Sequence, residues 1–378
     1  MKIKEVKTYI VSQKLGHKSF CYSQAWYNAR TIMIVEIICD DGLSGWGEAF
    51  GNAFINKSVL DNVYTPILIG QTPFDSEKIW DELYNKLRDN GQKGSCIEAL
   101  SAVDNALWDI KGKCVHLPVY TLMGGARRET IIPYATGLYH TALNQDPREL
   151  VEEAVSYAKA DFRAIKMKIG FGVADDIKMV QSVREAIGPN IELMVDPNHA
   201  YNAMNAIKLA KGIEPFDISW IEEPVPPEDI KGYQEVKANT TIPISGGEAE
   251  FTAYGFKKLI DSRCVDILQP DCSITGGLTA FNRIMTLAKV ENIQCYPHVW
   301  GSGIAVAVGI NACFAMPDFP EALVVPPVYL ELDRTENIFR EEINKNKLII
   351  EDGYIHLPEF EGLGIDINRE LIEKYRIG

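Results

Sequence analysis

Leu193-Met194-Val195-Asp196 is a short apolar run that stops at an acid, and the same pattern returns twice downstream. It recurs as Trp220-Ile221-Glu222-Glu223-Pro224 and as Pro243-Ile244-Ser245-Gly246-Gly247-Glu248, so Asp196, Glu222 and Glu248 follow one another at intervals of 26 residues. Such an interval is about one strand-helix unit of a (β/α) barrel, and equal spacing raises all three carboxylates at the C-terminal mouth of neighbouring strands. Hard oxygen ligands that converge without cysteine or histidine are the coordination Mg²⁺ prefers, completed by water and a substrate oxygen. These three acids are the candidate metal ligands.

Outward from these runs, short apolar segments alternate with amphipathic ones. Residues 164–169 precede a helical pattern over 175–187, 192–195 precede 203–210, and 218–221 precede 227–237. The series continues with 242–244 before 252–260, 267–269 before 278–289, and 294–297 before 304–315. Six β-then-α units argue a parallel sheet, and closure into a TIM-type barrel is the economical reading. A doubly wound open sheet satisfies the same alternation.

Upstream the texture differs. A β-branched run over 31–38, the turn Asp40-Asp41-Gly42 and the run Leu43-Ser44-Gly45-Trp46-Gly47-Glu48 read as an antiparallel hairpin. Helical patterns follow over 75–87 and 96–111, the second with Leu100, Val103, Leu107 and Ile110 on one stripe. Strands followed by helices, without alternation, make a separate α+β domain. The expected organisation is an α+β domain over 1–125, the barrel over 126–320, and a C-terminal segment over 321–378 that closes the barrel and returns to the first domain.

A length of 378 residues suits a barrel of about 200 to 250 residues with an accessory domain. Charged residues at 24% and hydrophobic residues at 46% are those of a soluble globular protein. The net charge of −14, with no clustered Lys/Arg run, argues against nucleic acid and anionic membranes as partners. The eight cysteines are scattered without a Cys-x-x-Cys pair, as expected of reduced thiols in the cytoplasm. The N-terminus begins as alternating strand rather than a signal peptide. The longest apolar segment, 304–316, is shorter than the roughly 20 residues of a membrane span and contains Asn311.

Other chemistry-bearing residues fall at the same barrel spacing. Lys166 and Lys168, at i and i+2 of an apolar run, share one face of a strand. Like charges side by side depress each other's pKa, which suits one lysine to act as a base and the other to bind an anion. Two solvated lysines on an edge strand are the bland alternative. Asp271 and His298 end consecutive apolar runs, where a carboxylate can orient an imidazole, fix its tautomer and raise its basicity. The other histidines are read as structural, with His199 open because it shares a loop with Asp196 and Asn198. Glu331 lies at another late strand end, and alternation points Glu223 away from Glu222.

Together Lys166-Met167-Lys168, Asp196-Pro197-Asn198, Ile221-Glu222-Glu223-Pro224, Gly247-Glu248, Asp271, His298 and Glu331 resemble the enolase superfamily, and within it the mandelate racemase subgroup. Gly45-Trp46-Gly47-Glu48 and Ala106-Leu107-Trp108-Asp109 resemble that family's capping domain and its entry to the barrel. The resemblance implies abstraction of the proton α to a carboxylate, with Mg²⁺ stabilising an enediolate. Lys168 would face one side of the substrate and the His298/Asp271 pair the other. Lys166 would tune Lys168 and touch the carboxylate, and Glu331, protonated, would hydrogen-bond the developing oxyanion.

Asp271 stands where lactonising and dipeptide-epimerising relatives carry lysine, which argues against those subgroups. Asp89-Asn90-Gly91-Gln92, His298-Val299-Trp300-Gly301 and Leu332-Asp333-Arg334-Thr335 are similar to segments of acid-sugar enzymes. The expected activity is dehydration of an aldonate or aldarate, a carbon-oxygen lyase reaction of sugar-acid catabolism. The alternative is an isomerase: an aldarolactone cycloisomerase or a hydroxy-acid racemase. The family also implies a homo-oligomer. Expected substrate contacts are Asn198 and, in capping loops, Tyr22, Trp26 and Asn52, since interleaved polar and aromatic groups suit a polyhydroxylated acid. Packing between the domains is the alternative role for Trp26.

Overall fold

The computed structural model describes residues 1–143, 145–320 and 322–378. The chain opens with the long strand β1 (Ile3–Lys14), followed by a two-residue ribbon of β2 (Phe20–Cys21) against β3 (Trp26–Tyr27). The hairpin of β4 (Ala29–Cys39) and β5 (Ser44–Ala49) then completes a sheet of order β1-β4-β5. Alternation along β4 sends Met33, Val35 and Ile37 into a core shared with the helices Ser76–Leu87 and Ser95–Cys114. Gly45 and Gly47 let the second helix lie directly on β5. A Cβ at either would stand 2.2 Å from Ala106 O or 2.0 Å from Ala102 O.

Eight parallel strands follow: β6 (Thr130–Gly137), β7 (Ala164–Lys168), β8 (Glu192–Asp196), β9 (Ile218–Glu222), β10 (Ile244–Gly246), β11 (Ile267–Leu268), β12 (Gln294–Cys295) and β13 (Tyr329–Asp333). Six are those expected from the alternation, and the structure adds β6 before them and β13 after. Neighbours run β12-β11-β10-β9-β8-β7-β6-β13, the chain order unbroken and the last strand beside the first. A doubly wound sheet reverses its order at a switch point, so that alternative is removed. The two ends of the ladder meet through side chains. Val299 N donates to Glu331 Oε2 at 3.1 Å, and the rings of Tyr296 and Tyr329 are 5.2 Å apart. Trp220 packs on Tyr134, Tyr296 and Tyr329, each at 5.7 Å, filling the barrel interior with aromatic side chains.

The helix Gly303–Ala315 is buried along its whole length. Among the described residues no helix is long and apolar enough to cross a membrane. Beyond β13, the short strand β14 (Ile355–His356) pairs antiparallel with β6. The helix Arg369–Tyr375 then leads to the edge of β1, where Ile377 N donates to Ile10 O at 2.8 Å and Ile10 N to Gly378 O at 3.1 Å. Arg369 pairs with the buried Glu36 of β4.

Candidate active site

On β7 the strand period turns Lys166 and Lys168 to the barrel interior, and the chain has no exposed lysine pair there: Lys166 is 0% and Lys168 5% exposed. Lys166 Nζ lies 2.6 Å from Glu222 Oε1, 2.8 Å from Glu331 Oε1 and 3.8 Å from Asp196 Oδ2. Lys168 Nζ bonds Asp196 Oδ2 and faces the ring of Tyr139 at 5.5 Å. Burial opposes the charge on both lysines, but Glu222 and Glu331 hold Lys166 well above its ordinary value, and Asp196 holds Lys168 above its own. Lys166 does push Lys168 down, and the adjacent carboxylate outweighs that push.

One oxygen each of Asp196, Glu222 and Glu248 lies within 4.8 Å of the other two. Burial raises Asp196 to about 7 despite Lys168, and raises Glu248 to about 7 with Glu223 adding to the effect. Glu222 alone falls, to about 2, because Lys166 and Lys168 overcome its burial. Glu248 Oε2 and Asn198 Oδ1 are buried oxygens without a hydrogen-bond partner. Three hard donors, an unpartnered oxygen among them, and confined negative charge fit a divalent cation of the Mg²⁺ type.

On the next two strand ends, His298 Nδ1 lies 2.7 Å from Asp271 Oδ2. A carboxylate accepts, so Nδ1 carries the proton and Nε2 is left for the cavity, 3.4 Å from Glu248 Oε2 and 3.9 Å from Glu331 Oε2. Asp271 is itself fixed by Ser273 N at 2.6 Å. Burial works against an imidazolium, but Glu248, Glu331 and Asp271 together raise His298 to about 10. Lys168 thus touches one member of the acid trio, Asp196, and His298 approaches another, Glu248.

Glu331 is an acceptor in this arrangement. Its oxygens accept from Thr136 Oγ1 at 2.6 Å, from Val299 N at 3.1 Å and from Lys166. Burial raises it, yet Lys166 and His298 outweigh burial and hold it below the usual carboxylate range. Glu223, at a φ of +41°, is 0% exposed and meets His199 Nδ1 at 2.9 Å, a supporting contact beside the acid trio.

The expected substrate contacts divide. Asn198 is in the site, its N on Asp196 Oδ1 at 2.8 Å and its Nδ2 3.5 Å from Glu248 Oε1. Tyr22 is half-buried, its hydroxyl raised by burial and then by Glu248. Trp26 is 44% exposed on the outer ribbon and is not brought in. Asn52 is an exposed helix cap, its Oδ1 accepting from Phe54 N at 3.1 Å and Ile55 N at 3.2 Å. An Asn directly before a helix carries that signal.

Two groups lacked a sequence signal. Gln269 Nε2 donates to Glu222 Oε2 at 2.6 Å, and the ring of Phe50 stands edge-on to His298 at 6.3 Å. Ser23 Oγ and Gln24 Nε2 donate to Pro197 O at 2.7 Å and Asn198 O at 3.0 Å, tying a capping loop to the loop beyond Asp196. Arg30 bonds Asp333 at 2.7 Å and lies 4.4 Å over the ring of Trp300, tying the same region to β13.

Comparison with known proteins gives two family matches. Residues 5–124 match the mandelate racemase / muconate lactonizing enzyme N-terminal domain, and residues 149–371 match the enolase C-terminal domain-like family. The chain is 40% identical to the D-galactarolactone cycloisomerase of Agrobacterium fabrum, over 100% of this chain and 99% of that one. It is 30% identical to the arabinonate dehydratase of Saccharolobus solfataricus, over 91% of this chain and 90% of that one. The solved structure of the 3,6-anhydro-D-galactonate cycloisomerase from Zobellia galactanivorans superimposes with a TM-score of 0.91 at 43% identity, each chain covered in full.

Proposed function

Because the chain belongs to the mandelate racemase / muconate lactonizing enzyme family of enolase-like enzymes, we propose that it removes the proton α to the carboxylate of a small acid-sugar anion and expels a β-oxygen. The observation that carries this reading is the placement of Lys168 and His298 against two different members of one buried acid trio. Two proton-handling groups so placed can serve one carbon from two sides. Mg²⁺, held by Asp196, Glu222 and Glu248, would supply positive charge to offset that developing on the substrate carboxylate.

The chain's own part is proton handling and charge placement. The α C–H bond breaks, the proton passes to Lys168 Nζ or His298 Nε2 in its neutral form, and its electron pair moves toward the carboxylate. Lys166, buried and cationic, faces the region of growing negative charge. When the electron pair returns, the C–O bond at the β-carbon breaks and the leaving oxygen takes a proton. The resulting enol tautomerises to a 2-keto-3-deoxy acid. Asp271 keeps His298 in the required tautomer throughout.

If the leaving oxygen belongs to a ring that contains the α-carbon chain, the product keeps the mass of the substrate. Full-length similarity at 40% and 43% to two cycloisomerases supports this cycloisomerase form of the reaction. If the leaving oxygen is a free hydroxyl, water is lost. That dehydratase form was expected from the residues and is supported by the 30% similarity to an arabinonate dehydratase. A library of aldonates, aldarates and their lactones, incubated with Mg²⁺ in D₂O and read by mass spectrometry, tests both. A deuterated isomer identifies the cycloisomerase and loss of water the dehydratase. Absence of deuterium from every substrate and product, with no water lost and no isomer formed, would overturn the proposal.

A further inference from the structure

We propose that Glu48, at the end of β5 in the capping domain, is a positioning residue for His298, so that the imidazole side of the catalytic apparatus rests on a capping-domain carboxylate. This rests on the reading of His298 as a proton-handling group. Glu48 is 1% exposed, and both of its oxygens are spent on the loop that follows His298. Ser302 N donates to Oε1 at 3.0 Å and to Oε2 at 3.1 Å, Ser302 Oγ donates to Oε2, and Ala305 N lies 3.3 Å from Oε2. Ser302 is in turn the N-cap of the helix Gly303–Ala315. A carboxylate at this helix start meets free N–H donors and the positive end of the helix dipole. Gly301 gives it room, since a Cβ there would stand 2.6 Å from Glu48 Oε1.

The same strand end also reaches the other half of the dyad. Two residues after Glu48, Phe50 presents its ring edge-on to the His298 imidazole, and its N donates to Ser273 O at 3.3 Å in the loop that fixes Asp271. From the helix Ser95–Cys114, Asn105 Nδ2 donates to Cys272 O at 2.9 Å. Capping-domain groups therefore touch the loops of both Asp271 and His298. The lysine side is built differently. Lys166 and Lys168 are held by Asp196, Glu222 and Glu331, all on barrel strands. Only the imidazole side depends on a carboxylate from another domain. A catalytic group misplaced by about 1 Å costs about 100-fold in rate, so the loss of this latch should fall on one side of the substrate.

The test uses the full-length protein and two readouts. The first is the proton resonance of His298 Nδ1–H in its bond to Asp271, assigned by its absence in His298→Asn and requiring no substrate. The second is α-proton exchange with Mg²⁺ in D₂O, followed for D-galactonate and its C2 epimer D-talonate, which present the proton to opposite sides. Glu48→Ala should broaden or lose the resonance and slow exchange on the His298 side about 100-fold. On the Lys168 side exchange should stay within about threefold. Glu48→Gln, which keeps an acceptor for Ser302 N, should lie between, and gives the same comparison should the alanine variant not fold. An unchanged resonance and exchange in folded variants, or an equal loss on both sides, would overturn the latch. If the native enzyme exchanges neither epimer, the functional reading fails at these substrates, while the resonance still decides whether Glu48 positions the imidazole.

Discussion

At the level of single residues, the acid trio is a place where folding confines charge that it would otherwise avoid. Asp196 and Glu248 are both raised to about 7 by burial, so in the metal-free protein each is held at an energetic cost. Replacing Glu248 by Gln removes one of those charges. We expect Glu248→Gln to melt at or above the native temperature without Mg²⁺ and to lose the rise in melting temperature that Mg²⁺ gives the native protein. Thermal denaturation with and without Mg²⁺ checks this, and a variant that kept the full rise would remove Glu248 from the ligand set. Local pattern was enough to pick these residues out, because strand ends in a barrel recur at a nearly constant interval. It was not enough to assign their charge. Glu331 reads from sequence as another acid at a strand end, and its lowered pKa comes from Lys166 and His298, 165 and 33 positions away. The burial of Glu223 was not legible either, because its left-handed backbone angle lies outside what period-two alternation describes.

At the level of elements, the site depends on how closely the capping sheet approaches its helix. Gly47 allows Ala102 O to sit where a side chain would begin, and Glu48 is the next residue along the strand. Gly47→Ala must push β5 from the helix Ser95–Cys114 and shift Glu48 with it. We expect a loss of about 1–3 kcal/mol in stability, the usual range for overpacking, together with reduced turnover. Chemical denaturation checks the first, and an unaffected midpoint would mean the two elements are less tightly apposed than the backbone distances require. The helices and the hairpin were legible in the chain because amphipathic period and turn residues are local. The strands β6 and β13 were less so. The first carries Pro133 within it, although the helix Pro147–Lys159 follows, and the second is followed only by the short helix Ile338–Glu342, so one lacks a clean strand signal and the other a full strand-helix unit.

At the level of the whole molecule, several buried carboxylates lie where the capping domain meets its own helices or the barrel. Burial raises Glu48 and Glu98 to about 7 and Asp104 to about 6. Between about pH 4 and 7 the folded chain therefore keeps protons that the unfolded chain has released. Stability should fall as pH rises through that window and level off above it, each group contributing on the order of 1–3 kcal/mol. Melting temperatures across pH 5 to 8.5 at constant ionic strength, without metal, check the sign. Glu98→Gln should flatten part of the slope, and a stability that rose with pH would contradict the raised values.

What the amino-acid sequence determined by itself was the succession of elements, the family of the chain, and the identity of the residues at strand ends. Hydrophobic period, turn chemistry and repeat length are properties of neighbouring residues. Only the tertiary structure decided that the sheet closes with β13 beside β6, that Trp26 is 44% exposed and Asn52 caps a helix, and that a capping-domain glutamate holds the loop of His298. Those outcomes depend on groups that are distant in the chain and meet only in the folded core. There, burial strengthens each charge interaction and leaves each polar atom in need of a partner.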